Sequence, residues 1–509
     1  MKSTIMKRIL LGFIIAISFT TVTVTAQEIS PDHIKQVIQK SDVEFDVYFL
    51  ASDEFLGRNT GTQELKIASR YIATRFQQYG MQQAPGLDGY YQNVPFRMNR
   101  APESVQISGG DSLFTMGQHL LSAGSFRGDI EASTLVMEYA SEEEIAEHDI
   151  SGKIVVAKAG LPGMDSPQQL FQISSQKRAQ IAEAGGAGLI ERYENPQLPW
   201  QVLTGYLTRD QLSLDTEDAS EEPENQIPHI WIHTQPEGMN AFLDEQNGET
   251  VSLSVEGAEP EPFYSRNVVG IIEGSDPELK DEYILLSAHY DHTGTTGDPS
   301  QEDYINNGAR DNAVGTAGIL AAAKYLSENP PKRSVIVAAW TAEEKGLLGS
   351  GYYAENPPIS LNQTVYNLNI DGAGYNDTTK VTVIGLGRTE ADDDLKASAE
   401  AFGLEAIPDP VPEQNLFNRS DNVHFARAGI PSPTYSMGLT AFDDEINQYY
   451  HRPTDEPDTI DYDYVTAYIR SFVMAASLVG NSDKAPFWLA GDEYEQAGIE
   501  LYNYEVENY

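Results

Sequence analysis

From about residue 264 the chain alternates apolar, strand-like runs with helix-like stretches, and this alternation limits its possible folds more than any other feature. The runs 283-YILLSA-288, 334-SVIVAAW-340 and 365-VYNLNI-370 read as buried strands. Between and after them, 315-GTAGILAAAKYLSE-328 and residues 346–355 read as helices. Strands that alternate with helices imply an α/β sheet with parallel members. Upstream, residues 31–85 read as helical, and 63-QELKIASRYIATRFQQYG-80 carries apolar residues at helical spacing before a closing glycine. Near residue 124 the composition shifts, and to about 258 the chain reads as short strands such as 152-GKIVVAKAG-160 and 228-PHIWIHT-234, with an acidic loop at 215–226 between them.

The balance of 77 Asp and Glu against 33 Lys and Arg gives a net charge of −44. Nucleic acid and anionic lipid would both be repelled by such a chain. The first residues, MKSTIMKRILLGFIIAISFTTVTVTAQ, pair a cationic start with a short apolar core and a small-residue site before Gln27. They are expected to be a secretory signal, cleaved near Ala26, that delivers the mature chain to the periplasm or the medium without a stable membrane anchor. With no cysteine in the chain, disulfides and a thiol-linked lipid are excluded, and any metal must be held by His, Asp and Glu.

Ligands of such sheets bind beyond the carboxyl ends of the strands, so the residues immediately after each run matter most. His289, Asp291 and His292 follow the first run, Glu343 and Glu344 the second, and Asp371 the third. Asp311 sits in 307-NGARDNAVG-315, before the long helix, and His451 lies in 449-YYHRPTDEPDTI-460. Carboxylates buried together raise one another's pKa, and cations relieve that cost. Two Zn²⁺ ions would balance Asp311, Asp371, Glu344 and a hydroxide, with His289 and His451 as nitrogen donors. Asp291 is expected to accept the second ring N–H of His289. Adjacent glutamates point differently, so Glu344 is expected to bind metal and Glu343 to act as the general base.

The motifs SAHYDH, NGARDNAVG, WTAEEKGLLGS, LNIDGAG and YYHRPTDEPDTI, in that order, resemble the co-catalytic di-zinc aminopeptidase family. That family spans bacterial leucyl aminopeptidases, aminopeptidase Y and, more distantly, glutamate carboxypeptidase and the transferrin receptor. The resemblance covers roughly residues 40–123 and 260–480, and 50-LASDEFLGRNTGTQE-64 looks like the family's opening segment. It implies a mixed, twisted central sheet flanked by helices and two zinc ions. Asp311 would bridge them, His289 and Asp371 would bind one, and Glu344 and His451 the other. A cis Asp311–Asn312 peptide and peptide substrates with a free N-terminus are also implied. SGKIVVAKAG, 184-AGGAGLIERY-193 and IPHIWIHT resemble a protease-associated domain. The expected organisation is therefore a signal at 1–26, peptidase residues at 27–123 and 259–484, a mostly β insertion at 124–258 and a tail at 485–509.

Arg310, Asn312 and Tyr435 are the candidates for contacting substrate, although Arg310 also suits a salt-bridged loop position. The segment 420-SDNVHF-425 has Asn422 where the family often has His, and His292, His424, His229 and His233 read as non-ligands. A carboxypeptidase or dipeptidase, a glutaminyl cyclase and a non-catalytic receptor-like protein are the alternatives on this fold. The first would carry a long helical domain after the core, the second keeps one zinc, and the third has lost the ligands retained here. Side-chain preference and oligomeric state are not legible.

Overall fold

The structure is a computed structural model that describes residues 29–504 except 118, 165, 196, 216–226 and 235–238. The expected signal and most of the acidic loop lie outside the described residues. Among the described residues, ten strands form the main sheet. Its centre is parallel: Tyr283–His289 lies between Ser334–Trp340 and Thr364–Ile370, and Thr364–Ile370 continues to Thr434–Met437. Antiparallel strands Glu261–Ile272 and Lys380–Ile384 extend the two sides. The sheet is mixed, as the resemblance implied.

The central runs are buried at almost every position, and mostly apolar, because both faces are covered. Ile284, Leu286, Ala288, Val335, Val337 and Ala339 face one core, packed by helices Gln63–Gln78, Val314–Glu328 and Tyr462–Asn481. Leu285, Ile336, Ala338 and Trp340 face the other, against Tyr353 and Phe425 from helices Leu348–Glu355 and Asn422–Arg427. Side chains that alternate along a strand thus feed two separate cores. In the tail, Phe487 and Trp488 are buried, and the Trp488 indole donates to the Gly429 carbonyl at 2.8 Å.

A second sheet holds eight described strands, with Gly128–Val136, Ile154–Lys158, Gly188–Tyr193 and His229–His233 running parallel. It starts at Ser104, about twenty residues before the composition shift near 124. Pairing with Thr250–Glu256 and with each other assigns Ser104–Gly109 and Ser112–Thr115 to this sheet. Conversely, Gln211–Leu214 leaves the second sheet and pairs with Tyr91–Asn99 of the main one.

Inside the second sheet, Glu191 is buried with three partners. It accepts from Lys177 Nζ at 3.0 Å, His229 Nε2 at 2.8 Å and Trp231 Nε1 at 2.8 Å. Burial pushes its carboxyl up, but the His229 hydrogen bond and the Lys177 charge outweigh this and hold it at about 2. His229 is therefore built into the core, and His233 stacks on Trp200 at 4.8 Å. Removing one member of a buried pair strands the other charge. Lys177→Met is expected to cost about 3 kcal/mol in urea unfolding followed by circular dichroism at pH 7. A carboxyl whose folded pKa lies below its unfolded 4.5 stabilises above that pH and loses this contribution as the pH falls toward 2. The difference between wild type and variant is therefore expected to shrink across that window.

Candidate metal centre

The parallel strands end together, and their C-terminal ends carry the chemistry. His289 is the last residue of its strand, and Asp371 directly follows Thr364–Ile370. After Ser334–Trp340 the chain turns at Ala342, whose φ is 60°, and presents Glu343 and Glu344. Asp311 lies in the turn Ala309–Ala313, at a kink with φ −115° and ψ 90°, and its peptide bond to Asn312 is cis. His451 follows helix Asp444–Tyr449, which Asp443 caps by accepting from Glu445 N and Ile446 N at 3.1 Å.

These side chains converge on one pocket of about 80 Å³. Asp311 spans it. One carboxylate oxygen lies 3.2 Å from His289 Nε2, which is 3.1 Å from Asp371 Oδ1. The other lies 3.2 Å from His451 Nε2, which is also 3.2 Å from Glu344 Oε2. Donors bound to one tetrahedral zinc at about 2.0–2.1 Å are about 3.3 Å apart, so each half of this arrangement has the spacing of a zinc shell. The imidazole and carboxylate donor set fits as well.

The groups pull on one another in opposite directions. Burial pushes Asp311 up, but hydrogen bonds from His289 and His451 hold it well below the usual carboxylate range. Burial and Asp311 push Glu344 up, yet His292 and His451 hold it at about 2. Burial lowers His451, but its bonds to Asp311 and Glu344 raise it to about 10. Burial, added to by the Asp371 and Glu344 charges, drives Glu343 well above the ordinary value. Glu343 is thus the proton-retaining carboxyl beside strongly acidic neighbours.

Three placements differ from expectation. His289 Nδ1 meets the backbone carbonyl of Asp291 at 3.2 Å, while the Asp291 carboxylate lies 3.9 Å away. That carboxylate instead accepts from Glu343 N and Thr60 Oγ1, both at 3.1 Å, so it positions the Glu343 turn. Tyr435 lies in the core, with its hydroxyl donating to Ser471 at 2.9 Å, because its strand turns this side chain away from the pocket. Asn312 is buried too, donating to the Ile370 carbonyl at 3.0 Å and accepting from Gly315 N at 3.0 Å. Arg310 is salt-bridged to Asp455 at 3.0 Å and stacked 3.7 Å over Tyr449. None of these last three lines the pocket.

His292 is closer to the site than expected, with Nδ1 2.7 Å from Glu344 Oε1. Grouping by proximity alone would set it with Asp311 and Glu344. His451 Nε2 lies between oxygens of both carboxylates, whereas His292 Nδ1 bonds Glu344 on the other oxygen. Gly308, at φ 60°, lets this ring pack in: a Cβ there would fall 2.6 Å from it. His424 lies against Gly351, away from the pocket. Asn422 is buried and donates to the carbonyls of Phe417 and Ser432 at 3.1 and 3.0 Å.

Other contributors escaped the sequence reading, although Asp455, Asp421, Tyr450 and Arg58 sit in quoted motifs. Asp455 accepts from Arg310 N at 2.9 Å and Asp311 N at 3.3 Å, clamping the bridging loop. Burial raises Asp421 to about 7. Tyr450, Arg419, Ile384, Leu416, Leu439 and Phe442 line the pocket. Arg58, wholly buried, donates to the carbonyls of Leu50, Tyr290, Asn307 and Gly308 at 2.6, 3.0, 2.6 and 2.9 Å. It thereby ties the His289 and Asp311 loops to one point. Arg58→Met leaves buried carbonyls unsatisfied and is expected to cost at least about 3 kcal/mol, read as a lower melting temperature together with lower retained metal.

Residues 267–476 match the model of Peptidase family M28. Aminopeptidase YwaD of Bacillus subtilis (strain 168) is 26% identical over 201 residues, covering 38% of this chain and 40% of that protein. The Vacuolar membrane protease of Saccharomyces cerevisiae (strain ATCC 204508 / S288c) is 36% identical over 112 residues, covering 22% of this chain and 10% of that protein. The chain thus spans less than half the length of these curated relatives. The solved aminopeptidase from Aneurinibacillus sp. strain AM-1 superposes with a TM-score of 0.55 at 20% identity, covering 90% of this chain and 97% of that one, and so shares its fold.

Proposed function

We propose, from the match of residues 267–476 to the model of Peptidase family M28, that the chain is a di-zinc metallo-aminopeptidase that removes residues from the free N-terminus of peptides. The observation that carries the reading is the split of the two Asp311 oxygens between the His289–Asp371 pair and the His451–Glu344 pair. Asp311 would bridge two zinc ions, with one pair completing each shell. Zinc bound there would supply Lewis-acid polarisation of the scissile carbonyl and of water.

The remaining steps belong to the chain's own groups. Glu343 lines the same pocket and is uncommitted to either pair, which leaves its carboxylate free to act as the general base. It takes the proton from the attacking water and returns it to the leaving amine. Asp291 holds the Glu343 backbone, and His292 holds Glu344. The surplus of carboxylates would receive the substrate's α-amine, which favours an exopeptidase. Ile384, Leu416, Leu439 and Phe442 give the pocket an apolar wall for the first side chain. The second sheet is read as a protease-associated insertion that shapes access. Export follows from the expected signal, and among the described residues no helix is long and apolar enough to cross a membrane.

Glu343→Gln is expected to lower kcat by about 10²- to 10⁴-fold with zinc content unchanged, measured by metal analysis beside the assay. Full activity in that variant would remove Glu343 from its role. One peptide offered with a free and with an acetylated N-terminus tests the specificity. Cleavage of the free form alone, abolished by chelator and restored by zinc, is expected. Equal cleavage of both forms would favour an endopeptidase or carboxypeptidase.

A further inference from the structure

Far from typical for so acidic a chain, one cleft is lined, among the described residues, by four arginines and by no carboxylate. Arg100, Arg127, Arg178 and Arg209 surround a cavity of about 270 Å³ where the two sheets meet. Arg100 follows strand Tyr91–Asn99 of the main sheet, whereas Arg127 and Arg178 belong to the second sheet and its helix Pro167–Glu183. With 33 basic residues against 77 acidic ones, cations are scarce.

Here they are largely unneutralised. Among the described residues, only Arg100 of the four is ion-paired, to Asp210 at 2.7 Å and Glu261 at 3.4 Å. Arg127 is anchored by carbonyls instead: it donates to Arg100 O at 2.6 Å, Phe126 O at 2.9 Å and Ser125 O at 3.1 Å. Carbonyls fix a guanidinium in place without cancelling its charge, and Glu259 acts on this one only from a distance. The Nε of Arg127 is buried and has no hydrogen-bond partner among the described residues. Arg178 lies over the backbone of Gly124, where an added Cβ would come within 2.9 Å of its Nη1. The missing side chain thus makes room for the guanidinium. Fixed guanidinium forks match oxyanions that accept two hydrogen bonds at once.

We propose that this cleft is a binding site for a small oxyanion carrying at least two negative charges, distinct from the metal centre. Phosphate-type and dicarboxylate ligands share this chemistry. Because the arginines come from both sheets, the ligand would cross-link them.

The test is isothermal titration of the zinc-loaded protein with sulfate and, separately, with succinate, at an ionic strength held constant with chloride. Saturable binding of at least one anion at one site per chain is expected. A preference for sulfate would point to a phosphate-type ligand and a preference for succinate to a dicarboxylate. Arg178→Gln combined with Arg209→Gln should weaken binding at least tenfold without changing turnover of an uncharged peptide. Arg209→Gln alone, on an exposed side chain, should weaken it severalfold and guards against loss of fold, and Gly124→Ala should weaken it by displacing Arg178. No saturable heat with either anion, or equal binding in wild type and all three variants, would overturn the proposal.

Discussion

Carboxylates gathered out of water repel one another, and the architecture around the strand ends is organised to hold them despite that. Asp311, Glu343, Glu344 and Asp371 share a pocket with two imidazoles and little else that is positive. Such a cluster is costly unless cations enter it. The imidazole–carboxylate spacings of 3.1–3.2 Å are those of donors arranged around shared ions. Within the same cluster, Glu343 is pushed up while Asp311 and Glu344 are held down. One pocket thereby contains carboxylates of opposite proton affinity.

Rigidity for this arrangement comes from buried groups that touch no ligand. Arg58 gathers four carbonyls from three places in the chain, including both loops that flank the centre. Asp455, brought from a segment about 144 residues later, clamps the amides of Arg310 and Asp311. Each satisfies backbone groups that would otherwise be orphaned, so stability and site geometry depend on the same contacts. The second sheet uses the same device around Glu191. The arginine cleft is the contrast, since among the described residues only Arg100 of its four arginines meets a carboxylate.

The strands, the main helices and the metal-ligand candidates were legible in the sequence because their signals are local. An apolar run of strand length reads as buried wherever it lies, and His289, Asp371 and the Glu343–Glu344 pair stand at the ends of such runs. The order of motifs then supplied their common destination. Residues whose meaning depends on direction were read less well. Tyr435 and Asn312 flank the site in sequence but point into the core, and Asp291 offers its carbonyl to His289 while its carboxylate serves Glu343. A one-residue change of direction at a strand end is below the resolution of spacing arguments. The start of the second sheet at Ser104 was hidden for a related reason, since pairing between strands is not written in either strand alone.

By itself, then, the sequence determined the α/β class and supplied the candidates for holding metal and for the base, because these readings follow from composition, periodicity and motif order. Only the tertiary structure decided which oxygen of Asp311 faces which histidine, that His292 supports Glu344 from behind, and that Arg58 and four scattered arginines converge where they do. Those outcomes rest on long-range packing, which brings together residues hundreds of positions apart and sets distances of a few ångströms that no local pattern encodes.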